Sequence, residues 1–167
     1  MTLSMHQASV PVFAQGLTGL SRAMDKAAVF AAERKFDPAN FLQARLAPDM
    51  FSFVRQVQIA CDFAKGAVAR LAGEEPPVYE DNETSLEALK DRVERTKAYI
   101  QGIAPGLIEG SEDRDITLVR RGEATVHKGH AYLLHQALPN FYFHTTAAYA
   151  LLRQSGVPLG KKDFLAS

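Results

Sequence analysis

The sequence predicts an all-α fold, a four-helix bundle carrying one small β-hairpin before its last helix. Three observations lead there. Apolar residues recur at alternating steps of three and four through long stretches, the mark of helices that bury one stripe. Only one short segment, from Asp115 on, alternates every second residue, and two strands alone are too little sheet to stand in water without helical support. The 167 residues are enough for one domain with its own core, and no linker, repeat or low-complexity tract divides them.

Helix one is marked by Phe13, Leu17, Leu20, Met24, Ala27 and Ala31. Its start has two readings: Ser9 as cap with Pro11 in the first turn, or Ser4 as cap with Pro11 bending the helix. Arg34 and Lys35 suit its negative end. Asp37-Pro38 then opens a short helical turn over residues 40–44. Ala47-Pro48-Asp49 starts helix two, whose inward residues are Val54, Val57, Cys61, Ala64, Val68 and Leu71, and Gly73 ends it. Residues 74–83, with Pro76-Pro77, form an extended connection long enough to cross the end of a bundle.

Thr84-Ser85-Leu86-Glu87 reads as a capping box with the threonine as cap. Leu86, Leu89, Val93, Thr96, Ile100 and Ile103 then trace helix three, which Pro105-Gly106 stops. Ile116, Leu118 and Arg120, followed by Ala124 and Val126, make two strands joined at Arg121-Gly122. Residues 129–135 form a helical lead-in, separated from the last helix by a break at Pro139. The last helix lies in ALPNFYFHTTAAYALLRQSG, residues 137–156, with Gly156 as its stop and residues 157–167 as a surface wrap.

Composition narrows the function classes. With 19 basic and 19 acidic residues the formal charge is zero, which argues against an electrostatic nucleic-acid binder. No apolar run approaches the ~20 residues of a membrane span. The single cysteine, Cys61, cannot form an internal bridge, and with no cleavable signal pattern the expected location is cytoplasmic. Phosphate-cradling glycine loops, nucleophile elbows and H-E-x-x-H pairs are absent from the sequence.

The candidate site gathers on helices two and four. His144 is the first candidate, because imidazole is a frequent metal ligand and titrates nearest neutrality; the alternative is a hydrogen-bonded core histidine. Asn140 shares its face at i, i+4. Arg55, Gln58 and Asp62 form a polar stripe beside the apolar seam of helix two, able to supply a cation, an amide and a carboxylate to a cleft or to an interhelical network. Tyr149, with Thr145 one turn before it, lines the same cleft or merely packs. His127, His130 and His135 invite a metal reading through H-x-x-H, though the first lies near a strand end. Cys61 is most simply a small core residue.

SVPVF in helix one, ARLAPDMF and RQVQIACDFAKGA at helix two, DNET before helix three and LPNFYFHTTAAYALLRQSGVPLGKKDFL at the end resemble a bacterial domain-of-unknown-function family within the DinB/YfiT-like metalloenzyme superfamily. The resemblance implies a bundle running down-up-up-down with a long crossover between the second and third helices. It also implies frequent homodimers and a divalent metal, zinc or nickel, serving hydrolase or thiol-transferase chemistry on a small molecule. Metal-binding members place one histidine on helix two and two on helix four. This chain departs from that pattern, with Gln58 near the first position, His144 alone on helix four, and Gln154 where close relatives carry histidine. The resemblance leaves His144 as ligand or general base and Asp62 as second ligand or orienter, with Arg55, Gln58, Asn140 and Tyr149 around the substrate. The competing reading is a non-enzymatic dimeric binding or scaffold protein in which His144 is structural.

Overall fold

A computed structural model describes residues 4–167, with only the backbone at Arg120. The chain is predominantly helical, with one antiparallel two-stranded hairpin ahead of its last helices. Helix α1 spans Met5–Arg34, α2 Phe53–Ala72, α3 Leu86–Gly102, α4 Pro105–Ile108, α5 Gly129–Tyr132, α6 Leu138–Gln154 and α7 Lys161–Leu165. Strands β1, Asp115–Arg120, and β2, Glu123–Lys128, pair with Asp115 opposite Lys128 and Arg120 opposite Glu123. Helix α2 packs chiefly on α3 and α6, and α1 on α3 and α6, with a lighter contact between α1 and α2. Phe13, Leu17, Phe53, Leu71, Leu89, Ile100, Phe141 and Leu151 are fully buried between them, which is why these spacings were legible as helical.

Of the two starts open for α1, Ser4 is the cap, accepting from the Gln7 amide, and Pro11 lies inside the helix on its exposed side. Other boundaries differ from those expected. After Asp37 the turn is a 3₁₀ segment, Pro38–Phe41, rather than residues 40–44. Helix α2 starts at Phe53 and not at Ala47-Pro48-Asp49, because the amides of Phe53 and Val54 are taken by the carbonyls of Ala44 and Leu42. Those long-way bonds fold residues 42–52 back as a loop. Ser85, not Thr84, caps α3, so its third helical residue is Ala88 and the reciprocal glutamate bond is lost. Pro105 opens a four-residue helix instead of only stopping α3.

The hairpin turns at Arg121 and Gly122, with φ of 53° and 83°, the left-handed pair that matches the twist of the flanking strands. Ile116 is buried and Leu118 half-buried on its inner face, so it rests on the helices as expected.

Pro139 does not break the last helix. The chain passes from α5 through a π-helical turn, Leu133–Ala137, straight into α6, and the Leu138 amide bonds the Leu133 carbonyl five residues back. The wide turn removes the clash between the proline ring and the preceding turn, and the Asn140 side-chain amide donates to the Gln136 carbonyl at 2.6 Å. The tail wraps the surface as expected and adds a short docked helix. Helix α7 lies on α1, Lys26 pairs with Asp163 at 2.7 Å, and Gln15 donates to the Leu165 carbonyl at 2.8 Å. A side chain at Gly19 would strike the Phe164 carbonyl, so the glycine is what permits that approach.

Candidate functional site

His144 lies in the seam where α6 meets α2. Its Nδ1 is 2.7 Å from Gln56 Oε1, and the Gln56 amide nitrogen donates in turn to the Phe51 carbonyl at 3.3 Å. That second bond orients the amide, so its oxygen accepts and Nδ1 carries the proton. The ring stacks on Phe63, with centroids 5.9 Å apart and planes at 17°, and meets the edge of Phe143 at 5.2 Å. Burial, and then the positive charge of Arg55, hold the imidazole pKa below its ordinary value. The result is a neutral ring in one tautomer, with Nε2 left as an acceptor that no described residue bonds.

The polar stripe of α2 serves a different neighbour. Arg92 of α3 is 2% exposed and reaches four oxygens: Nη1 donates to the Glu80 carbonyl and to Glu83 Oε1, both at 2.9 Å, and Nη2 meets Asp81 Oδ1 at 2.9 Å and Asp62 Oδ1 at 3.2 Å. Lys65 also pairs with Asp62 at 3.0 Å. Gln58 donates to Glu83 Oε2 at 2.8 Å, and Arg55 pairs with Asp81 while reaching Gln58 Oε1 at 3.3 Å. Tyr79 lies under three cations, with its ring centroid 3.8 Å from Arg95, 5.0 Å from Lys65 and 5.6 Å from Arg92. Burial pushes the Glu83 carboxyl up, but hydrogen bonds from Arg92 and Gln58 outweigh it and hold the pKa low. This network fastens residues 79–83 across α2 and α3.

The expected site residues therefore separate. Arg55, Gln58 and Asp62 come together, with Asp81, Glu83 and Arg92 as partners that spacing on one helix did not show. Asn140 is occupied by the π turn, and Tyr149 packs edge-on against Phe164, with centroids 5.8 Å apart, on the α7 side. Arg55 alone links the network to His144, through its field. Of the other histidines, His130 Nδ1 bonds the Glu112 carbonyl at 2.9 Å, and His135 is exposed in the π turn. Cys61 is buried, and burial pushes its thiol up to about 12, which suits a core residue and not a nucleophile.

The donor set does not fit a zinc or nickel centre. Among the described residues there is no group of three or more His, Cys, Asp or Glu side chains able to hold a metal. Beside His144 stands a neutral amide, and the Asp62 carboxylate is already committed to a guanidinium and an ammonium. Gln56 had one sequence signal: with Ala60, Phe63 and Ala67 it follows the four-and-three spacing, a lone polar residue in a seam opposite a lone histidine. Asp62 and Phe63 also line a cleft of about 240 Å³ bounded by β1 and α5.

No helix among the described residues is long and apolar enough to cross a membrane. No curated protein matches the chain. A solved structure of a DinB family member from Shewanella denitrificans is similar at 38% identity, over 97% of this chain and 92% of that one, with a TM-score of 0.89. Residues 5–165 match the family model described as a domain of unknown function, DUF1993. With that match across nearly the whole length and a DinB neighbour of the same fold, the chain belongs to the DUF1993 family of the DinB-like superfamily.

Proposed function

We propose that α1, α2, α3 and α6 form a DinB-like four-helix bundle, running down-up-up-down with residues 74–83 as its crossover, that handles a small molecule at the α2–α6 seam through a neutral, oriented imidazole. The observation that carries this is the 2.7 Å bond between His144 Nδ1 and Gln56 Oε1. It leaves Nε2 as a fixed lone pair, the arrangement of a general base or of an acceptor for a ligand N–H or O–H. In hydrolase or thiol-transferase chemistry Nε2 would take the proton of a water or thiol as its oxygen or sulfur bonds to the substrate's electrophilic carbon and that carbon's bond to the leaving group breaks. The nearby Arg55 charge disfavours the imidazolium and returns that proton to the leaving group. A cytoplasmic setting agrees with a lone, buried, unpaired cysteine.

Protein purified without a histidine tag tests this reading. The His144 ring protons are expected to titrate below 6.5, and the value should rise in Arg55→Gln. Because the folded pKa is depressed, the stabilisation is full above 6.5 and is lost as pH falls through the folded value. Stoichiometric zinc or nickel that disappears in His144→Ala would sink the proposal in favour of a metal site.

A second reading, a dimeric binding or scaffold protein with a structural His144, is favoured by the outer face of α6. Tyr142 and Phe143 are 42% and 57% exposed, and with Leu46 and Met50 they line an apolar groove of about 420 Å³. Light scattering should then give twice the chain mass, and Phe143→Glu should halve it. A wild-type monomer at all concentrations would count against a homodimer on this face.

A further inference from the structure

We propose that the cleft between α2, β1 and α5 binds a small monocarboxylate with an apolar body, its carboxylate held by the guanidinium of Arg70. The cleft is lined by Phe63, Thr117, Leu118, Val119 and Tyr132, with Arg70 and Asp62, about two helical turns apart on α2, as its charged groups. Arg70 is positioned rather than loose. Its side chain turns back one helical turn over Gly66, where a Cβ would lie 2.6 Å from Nη1, and Nη1 donates to the Tyr132 hydroxyl at 3.2 Å. Gly66 sits inside α2 in ordinary helical conformation, so the space it leaves for the guanidinium is its evident use.

Among the described residues no carboxylate lies within ion-pair distance of Arg70, although it is half-buried. Asp62 cannot serve, since Arg92 and Lys65 hold it. A guanidinium in that state is a bidentate donor waiting for a planar anion. The surroundings choose among anions. Glu74, Glu75 and Asp115 line the open groove that continues beyond Arg70, against one further cation, Arg114, so a dianionic phosphate meets more repulsion there than a single carboxylate does. Phe63, Leu118 and Val119 offer apolar surface to a ring or short chain attached to it. The inference goes beyond the His144 reading and does not depend on it: Phe63 touches both sites, but neither Arg70 nor Gly66, which carry the carboxylate, touches His144.

The test is a titration of the whole labelled protein with benzoate, benzamide and inorganic phosphate, followed by the Arg Nε–Hε and backbone amide signals. Benzoate is expected to shift Arg70 and the Phe63 and Val119 amides saturably, with benzamide and phosphate at least about tenfold weaker. Gly66→Ala should keep the fold, displace the guanidinium and weaken benzoate by about the same factor, and Arg70→Gln should do likewise. Benzamide or phosphate binding as well as benzoate, shifts that never saturate, or a Gly66→Ala protein that binds benzoate normally would each overturn the proposal.

Discussion

Replacing Arg92 by alanine is expected to lower stability by about 3–5 kcal/mol, the usual cost of removing one partner from a buried ion pair. For a chain of this length that is a fall in Tm of roughly 6–20 °C. The reason is local. Arg92 neutralises Glu83, whose side chain is 6% exposed, and ties Asp62, Asp81 and the Glu80 carbonyl to the same point. Its loss leaves Glu83 with the Gln58 amide and a backbone amide, and no counter-charge. Lysine at this position keeps the charge but cannot fork to four oxygens, so Arg92→Lys should recover only part of the loss. The pH dependence gives a second readout. Glu83 has its pKa lowered below 4.5 in the fold, so its contribution is complete above 4.5 and is lost as pH falls through the folded value. Urea melts of Arg92→Ala should therefore show a weaker acid slope below about pH 4.5 than wild type. An unchanged slope would mean that Glu83 does not depend on Arg92.

Phe141→Ala is expected to cost about 3–5 kcal/mol, as for other fully buried phenylalanines. The ring stands edge-on to Phe13, with centroids 5.0 Å apart, and occupies the space above Gly16, where a Cβ would lie 2.5 Å from Cε1. Gly16→Ala alone should destabilise by about 1–3 kcal/mol, because the ring is sealed on all sides and cannot retreat. In the Phe141→Ala background the same change meets no ring, and alanine's better helix propensity should make it stabilising by up to ~1 kcal/mol. Chemical denaturation of the four proteins closes this cycle. Additive effects would show that the ring and the glycine are not seated on one another.

How much could be read in advance follows the range of the forces involved. The apolar seams of α1, α2 and α3 were legible because burial imposes a period on consecutive residues. The hairpin was legible because Arg121-Gly122 is local turn chemistry. The start of α3 falls one residue later than expected because Thr84 and Ser85 could each cap it. The start of α2 falls later than Ala47-Pro48-Asp49 because the Phe53 and Val54 amides bond the carbonyls of Ala44 and Leu42, which no local pattern announces. The stripe Arg55, Gln58 and Asp62 was correctly seen as one face of α2. Its partners Asp81, Glu83 and Arg92 lie 25 to 30 residues from the side chains they meet, so helical spacing gave no hint of them. His144 was found because it is a lone imidazole in an apolar helix. Gln56 was missed because it sits on the other side of α2 from the stripe that drew attention.

The π turn at Leu133–Ala137 sets a phase. A helix that accommodates one residue more than a regular turn rotates everything after it by about a third of a revolution relative to what comes before. Periodicity counted from His130 thus arrives at His144 out of step. Deleting one residue from 133–137 should restore a regular turn while swinging His144 away from Gln56.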